Sequence, residues 1–218
     1  MKSCRYWIFE SGVSVLAAII VAGSLAVPSA QAGTIIDDWN NVKVPPPPKL
    51  KSVTVDPKTT ALLMLDFLHA NCNDKRRPRC VASLPAMKEL LAKAREHHLY
   101  IVYTGFGKHT PKDVWAQVAP QKGEPWITSH ADKFIHTDLE KMLKDHGIKT
   151  VITVGTAAHG AVLYTASDAA LRGFKVIIPV DGSTAENEYI EQYVVYNMAH
   201  APGVSSNVTL TTSQMVKF

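Results

Sequence analysis

The sequence predicts an α/β protein in three α-β-α layers, with a mostly parallel, Rossmann-like central sheet of about six strands. Two observations indicate this fold class. Continuous apolar runs, such as residues 61–65 and 150–154, are typical of strands that are buried on both faces of a parallel sheet. Segments with apolar residues at helical spacing separate these runs, and the connections are short. Helices on both faces of one sheet are the simplest arrangement for this alternation.

The first 32 residues are excluded from the fold because they have the pattern of a secretory signal. Lys2 and Arg5 give a positive start, residues 13–27 are apolar-rich and uncharged, and Ala30-Gln31-Ala32 offers small residues at a cleavage site before Gly33. A run of about 15 residues is shorter than the roughly 20 that span a bilayer, which favours a signal over a retained membrane anchor. We therefore predict an exported protein, periplasmic or secreted, with no membrane contact after cleavage.

Residues 33–53 are predicted to form an N-terminal arm. Prolines 45–48 are consecutive, which favours an extended polyproline conformation, and the segment has no sustained apolar periodicity. The domain itself is predicted to occupy residues 54–218. At this length it can form one domain with a full hydrophobic core.

Strands and helices alternate through the predicted domain. Strands are predicted at residues 61–65, 99–103, 150–154, 174–180 and 207–212. Helices are predicted at residues 81–98, 137–146, 162–172 and 183–199. Thr137 with Glu140, and Ser183 with Glu186, have the spacing of capping boxes at two helix starts. Residues 105–125 are rich in glycine and proline, which predicts a loop with a short helix at 111–118.

Charge and motifs argue against several classes of partner. Without Lys2, Arg5 and Glu10 the chain keeps 21 basic and 18 acidic side chains, a net charge of +3 that does not favour a polyanionic partner. A basic cluster lacks interleaved aromatic residues, so a solvated loop is predicted there and no nucleic-acid site; its members are Lys75, Arg76, Arg77 and Arg79. No GxGxxG, GxxxxGK[ST] or HExxH pattern occurs, so no cofactor and no metal are predicted.

Two cysteines remain after Cys4 leaves with the signal. Cys72 and Cys80 form an even pair with a short, turn-rich spacer, and an oxidising compartment favours a disulfide between them. The alternative is two unpaired cysteines, one of them reactive. If the disulfide forms, neither sulfur is a free thiolate nucleophile.

Asp66 is the first candidate for chemistry. It follows an apolar run and precedes Phe67 and Leu68, so we expect it at the end of a buried strand. Burial disfavours an ionised carboxylate and raises its pKa, which suits a general acid or base. The alternative is an aspartate that caps the following turn.

Three blocks, residues 60–66, 134–139 and 155–169, resemble the isochorismatase-like hydrolases, also called the cysteine hydrolase superfamily. The resemblance covers roughly residues 58–182. It implies an α/β fold with a central parallel sheet and membership of a group that includes nicotinamidases, carbamoyl amidohydrolases and isochorismatases. In the thiol members, a strand-end aspartate and a lysine flank a cysteine at a helix N-terminus, and this cysteine attacks an amide or carbamoyl carbon.

The resemblance carries the family's site onto this chain in part. The aspartate corresponds to Asp66, whereas the cysteine corresponds to Ala161, which has no nucleophilic group. The family lysine falls on Thr128, and the nearest lysine is Lys133, five residues later. Lys133 is therefore the second catalytic candidate, with an ordinary solvated lysine as the alternative.

The loop around the missing cysteine is predicted to bind the substrate, because a helix N-terminus offers N–H groups to an anionic ligand. Its residues are Ala157, Ala158, His159, Gly160 and Ala161. Ala158-His159 matches a pair in the isochorismatase branch, which lacks the cysteine and hydrolyses a vinyl ether by protonation of carbon and attack of water. A structural histidine is the alternative for His159. The family also has a cis peptide in this loop, expected here between Ala157 and Ala158.

These observations predict an exported hydrolase without a thiol nucleophile, in which Asp66 assists the attack of water on a small vinyl-ether, amide or carbamoyl substrate. The alternative is a catalytically inactive small-molecule-binding pseudoenzyme with the same fold. A third hypothesis is that Cys72 or Cys80 replaces the missing thiol. Family members are often oligomeric, so the resemblance also allows a homo-oligomer.

Overall fold

A computed structural model describes residues 33–218, in which nine β-strands and four α-helices follow one another along the chain. The strands are β1 (Val53–Thr54), β2 (Thr60–Leu65), β3 (Tyr100–Gly105), β4 (Trp126–Thr128), β5 (Thr150–Thr156), β6 (Lys175–Pro179), β7 (Ser183–Thr184), β8 (Val208–Thr211) and β9 (Val216–Lys217). The helices are α1 (Pro78–Glu96), α2 (Leu139–Asp145), α3 (Leu163–Leu171) and α4 (Glu188–His200).

The central sheet contains six parallel strands in the order β4-β3-β2-β5-β6-β8. The short strand β7 extends the pairing of β5, and β1 pairs with β9 in a separate two-stranded sheet. The predicted fold class is therefore confirmed: helices flank a parallel central sheet of six strands.

Strand β2 shows how the sequence builds the two layers around this sheet. All six of its residues are buried, and successive side chains of a strand point to opposite faces. Leu63 and Leu65 pack in one apolar cluster with side chains of α2, α3 and α4. Leu62 and Met64 pack in a second cluster with α1. A continuous apolar run was needed because both faces of the strand are covered.

The register of the central strands brings their carboxyl ends to one edge. Leu65, the last residue of β2, pairs with Thr104 of β3 on one side and Gly155 of β5 on the other. Asp66 follows immediately, with a φ of 56° that turns the chain away from the sheet. Ligands bind at this edge of open α/β sheets.

Both predicted capping boxes are wrong. Helix α2 begins after Asp138, and the Thr137 hydroxyl donates to the Lys133 carbonyl. It accepts at 3.3 Å from the amide of Leu139, the first residue of the helix, and not from an N3 amide. Ser183 lies in β7, and α4 begins after Asn187, whose side chain accepts from the Ile190 amide at 3.1 Å. In each case the predicted capping hydroxyl or its partner acidic side chain is engaged elsewhere in the fold.

Other differences are smaller. The short helix predicted at 111–118 is two separate 3₁₀ turns, Pro111–Asp113 and Ala116–Val118. Strands β1, β4, β7 and β9 were not predicted, because two or three residues are too few to show a periodicity.

The proline-rich N-terminal segment is described from residue 33. Residues 33–45 form a unit of their own, exposed throughout, with a single 3₁₀ turn at Trp39–Asn41. Farther along, the Lys51 amide donates to the Leu210 carbonyl at 2.9 Å, and Val53 pairs with Val216. The signal predicted for residues 1–32 lies outside the described residues. From residue 33 onward, no helix has the length and apolar character needed to cross a membrane.

Candidate active site

Asp66 is the centre of a buried polar cluster at the carboxyl edge of the sheet. Its side chain is 7% exposed. Oδ2 accepts a hydrogen bond from Lys133 Nζ at 2.8 Å, and Oδ1 accepts one from Thr104 Oγ1 at 2.7 Å. Each carboxyl oxygen therefore has a partner from a different part of the chain.

Lys133 lies in the loop between β4 and α2 and is completely buried. Its Nζ donates to the His130 carbonyl at 2.7 Å as well as to Asp66, and its backbone amide donates to Thr165 Oγ1 at 3.2 Å. These contacts hold the ammonium group against the carboxylate, so Lys133 is not a solvated lysine. Thr128, where the family lysine was expected, is exposed at the end of β4, and its hydroxyl accepts from Trp126.

Burial raises the pKa of Asp66 above its usual value. The positive charge of Lys133 and the hydrogen bonds from Lys133 and Thr104 act in the opposite direction, because they stabilise the ionised form, but desolvation is the larger effect. A carboxyl group with this balance exchanges its proton closer to neutral pH than an exposed aspartate does. This property suits a general acid or base.

The loop predicted to bind substrate follows β5. Residues Ala158–Val162 form a single π-helical turn that leads into α3. Ala158 and Ala161 are buried in the same apolar cluster as Leu65, whereas His159 and Gly160 are partly exposed. The cis peptide expected between Ala157 and Ala158 is instead between Thr156 and Ala157, the bond that directly follows β5.

His159 does not hydrogen-bond to Asp66 or Lys133. Its Nδ1 lies 3.8 Å from Glu186 Oε2, and Glu186 Oε1 accepts from Arg77 Nη2 at 2.5 Å. Of the candidates Asp66, Lys133 and His159, the structure therefore joins Asp66 and Lys133 directly and places His159 in a neighbouring cluster.

Asn71 connects these two clusters, and the sequence analysis missed it. Its Nδ2 donates to the Thr156 carbonyl at 2.9 Å and, at 3.4 Å, to the Asp66 carbonyl. Its Oδ1 accepts from Arg77 Nη1, whose guanidinium is buried. The prediction of a wholly solvated basic loop is therefore wrong for Arg77, which turns inward to pair with Asn71 and Glu186. The sequence signal that could have identified Asn71 is its position, as a polar residue, shortly after the buried strand β2.

A cavity of about 310 Å³ opens beside Asp66. This volume is at the lower end of the range for small-molecule sites. Its lining residues are Asp66, Asn71, Arg76, Phe106, His130 and Ala131. The cavity therefore combines a carboxyl group, a guanidinium and an aromatic ring. Between residues 33 and 218 there is no cluster of three acidic, histidine or cysteine side chains that could hold a metal ion.

The predicted disulfide is confirmed. Cys72 and Cys80 are joined, both are fully buried, and they close the loop that carries Arg76 and Arg77. The described part of the chain has no other cysteine, so it offers no free thiol. The hypothesis that Cys72 or Cys80 acts as a thiol nucleophile therefore does not fit this structure.

Replacing both Cys72 and Cys80 with serine is expected to lower the free energy of unfolding by about 2–4 kcal/mol, because the open loop gains conformational freedom in the unfolded chain. Chemical denaturation of the oxidised wild type and the double variant measures the difference. Reduction with dithiothreitol should destabilise the wild type by a similar amount and leave the variant unchanged. A double variant as stable as the oxidised wild type would contradict the prediction.

A buried, ion-paired carboxyl group beside an open cavity at the carboxyl edge of a parallel sheet is the arrangement of an α/β protein that binds or transforms a small molecule. The family follows from comparison with known proteins. The isochorismatase domain model matches residues 60–214, and the chain therefore belongs to the isochorismatase family.

Its relatives include hydrolases of amides. Maleamate amidohydrolase of Pseudomonas putida is 28% identical over 146 residues, which cover 54% of this chain and 68% of the relative. The secreted isochorismatase effector Isc1 of Verticillium dahliae is 31% identical over 113 residues, covering 46% of this chain and 58% of the relative. The crystal structure of a cysteine hydrolase from Pseudomonas syringae shares the fold, with a TM-score of 0.67 and 18% identity over 77% of this chain and 94% of that one.

Proposed function

We propose that this protein is an exported isochorismatase-family hydrolase that works without a thiol nucleophile. Asp66 is the acid–base group, Lys133 and Thr104 hold it in place, and water attacks a small vinyl-ether, amide or carbamoyl substrate. The observation that carries the proposal is the buried Asp66–Lys133 pair, which lies beside the cavity at the carboxyl edge of the sheet.

The chemistry of each substrate class assigns Asp66 a role. A vinyl ether is hydrolysed when an acid protonates carbon and water adds to the resulting cation, so Asp66 acts there in its protonated form. For an amide or carbamoyl carbon, the ionised carboxylate accepts a proton from the attacking water and passes it to the leaving nitrogen as the C–N bond breaks. Burial raises the pKa of Asp66 and the positive charge of Lys133 limits that rise, which is compatible with either donating or accepting a proton.

The loop 157–161 supplies the second half of the proposed site. Ala161 corresponds to the family cysteine by the resemblance of residues 155–169, and its methyl side chain lies among apolar neighbours. Ala157 and Gly160 are small, so a substrate can approach the backbone of the π-helical turn that precedes α3. Backbone N–H groups at such a turn bind a carbonyl oxygen or an anionic group. In this proposal His159 borders the loop, on the side facing Glu186.

Export is part of the proposal and has two supports. A buried disulfide is typical of proteins that fold in an oxidising compartment. A relative with 31% identity is described as secreted. Together they favour a periplasmic or secreted location.

Replacing Asp66 with asparagine is expected to lower turnover by at least about 100-fold, the usual contribution of a general acid or base. The amide oxygen of asparagine can still accept a hydrogen bond, but the buried Lys133 loses its charged partner, so the variant is expected to be less stable. Circular dichroism at the assay temperature checks that it remains folded. The assay uses a panel of isochorismate-like vinyl ethers, amides and carbamates. Asp38→Asn, which removes an exposed carboxylate from the N-terminal unit, is the matched control and should leave turnover unchanged.

Two results would count against the enzyme. Turnover that persists in Asp66→Asn would remove Asp66 from the mechanism. Binding of panel compounds without any turnover in the wild type would favour the second candidate function, a pseudoenzyme that binds a small molecule. One observation favours this second candidate: the described residues contain no free thiol.

A further inference from the structure

Arg76 lines the same cavity as Asp66, and its charge is not neutralised by the described residues. The structure describes five arginines, and the other four each pair with at least one carboxylate. These pairs are Arg77 with Glu186, Arg79 with Glu188 and Glu191, Arg95 with Glu124, and Arg172 with Glu140 and Asp168. Within residues 33–218, no acidic side chain lies within salt-bridge distance of Arg76.

The segment that carries Arg76 is held in place on both sides. The Cys72–Cys80 disulfide closes it, and Arg77 anchors its inner side to Asn71 and Glu186. Asn73 shapes the turn itself, because its Oδ1 accepts from the Arg76 amide at 3.0 Å and its Nδ2 donates to the His69 carbonyl at 3.0 Å. The Arg76 backbone is therefore fixed at the cavity before any ligand arrives, which lowers the entropic cost of binding.

The charges around the cavity favour an anion. The Asp66 carboxyl is already paired with the Lys133 ammonium, so these two opposite charges largely cancel. The guanidinium of Arg76 then remains as the uncompensated charge of the lining. A guanidinium binds a carboxylate through two parallel hydrogen bonds, a geometry that a neutral amide cannot match.

We propose that Arg76 binds a carboxylate of the substrate. The ligand class is a small carboxylic acid whose other end carries the hydrolysable amide, carbamoyl or enol-ether group, so that Arg76 and Asp66 contact opposite ends of one molecule. Phe106 supplies an apolar wall for the part between them, and a cavity of about 310 Å³ admits a molecule of this size. This inference rests on the proposed function, because it assigns the hydrolysable group to the side of Asp66.

The test compares acids with neutral amides of the same skeleton: succinamate with succinamide, and benzoate with benzamide. Dissociation constants are measured by NMR titration of the protein purified after export from the cells that express it. The wild type should bind each acid about two- to fivefold more tightly than its neutral partner, the usual range for a charge pair at an exposed side chain such as Arg76. Arg76→Gln should abolish this preference. Lys75→Gln, which removes a neighbouring exposed charge outside the cavity lining, should preserve it.

The inference is overturned if the wild type shows no preference for the acids, if the preference survives in Arg76→Gln, or if no acid binds up to its solubility limit. A hydrolysis assay on the same compounds distinguishes failure of this inference from failure of the proposed function. Arg76-dependent binding of acids without hydrolysis of any panel compound supports the inference and counts against the enzyme. Hydrolysis of succinamide as fast as succinamate supports the enzyme and overturns the role of Arg76.

Discussion

Replacing Lys133 with methionine is expected to lower the free energy of unfolding by about 3–5 kcal/mol at neutral pH, the usual cost of removing one partner from a buried ion pair. Methionine fills a similar volume, so the loss is electrostatic. Of the two side-chain donors to Asp66, Thr104 and Lys133, only Thr104 remains in the variant, and Asp66 stays buried. The His130 carbonyl loses its hydrogen bond from the Lys133 ammonium. Urea denaturation of the wild type and the variant measures the difference.

The loss should depend on pH in a defined direction. Without the positive charge of Lys133, the pKa of Asp66 in the folded protein rises further above its usual value, whereas in the unfolded chain it stays near 3.9. Between these two values the folded protein holds a proton that the unfolded chain has released. The variant's stability therefore falls as pH rises through this window, and its deficit relative to the wild type is smaller at pH 4 than at pH 7.

Lys141→Met is the matched control, because Lys141 is also paired with an aspartate, Asp145, but is 72% exposed. An exposed pair contributes about 1 kcal/mol or less, so this variant should unfold nearly as the wild type does at every pH. The double variant Asp66→Asn with Lys133→Met should recover part of the loss, since it leaves no buried charge. Equal effects of Lys133→Met and Lys141→Met would contradict the buried pair.

The sequence predicted those parts of the fold that local patterns encode. A strand buried on both faces is predominantly apolar on both, which made β2 visible as an apolar run at residues 61–65, directly before Asp66. The parallel sheet followed from the alternation of such runs with helical segments. Strand β4 was invisible because its three residues, Trp126–Thr128, are too few to show a period.

The candidate site was predictable where a residue's environment is set by its near neighbours in the chain, or where the family resemblance pointed to a residue, as it did for Lys133. Asp66 was identified because the strand before it determines its burial. The sequence predicts a solvated loop around Arg77, because no local pattern indicates its pairing with Glu186, which is 109 residues away. The same contact bears on the failed capping box: Glu186 is engaged by Arg77, and Asn187, not Ser183, caps α4. Long-range pairing of charges is a property of the folded chain, which a single sequence does not display.

Gly155 is the residue on which the close approach of β5 to β2 depends, and its replacement with alanine is expected to destabilise the fold by about 3 kcal/mol or more. A Cβ at this position would lie 2.1 Å from the Leu65 carbonyl oxygen and 2.6 Å from the Leu65 Cβ. Its φ of +153° is also a conformation that residues with a side chain rarely adopt. Because the nearest obstacle is backbone, no side-chain rotation can relieve it. The strand that ends at Asp66 must move.

Gly160→Ala, in the loop that follows, isolates this effect. The nearest atom to a Cβ there is the Ala157 Cβ at 3.8 Å, an ordinary contact, and alanine is favoured over glycine in a helical turn. We therefore expect Gly160→Ala to change the free energy of unfolding by less than about 1 kcal/mol. If Gly155→Ala moves Asp66, it should also weaken the coupling between Asp66 and Lys133, so that adding Lys133→Met costs less in the Gly155→Ala background than in the wild type. If the two alanine variants differ in stability by less than about 1 kcal/mol, the close approach at Gly155 is not needed for stability. If Lys133→Met costs the same in both backgrounds, β5 and β2 can separate without disturbing the Asp66–Lys133 pair.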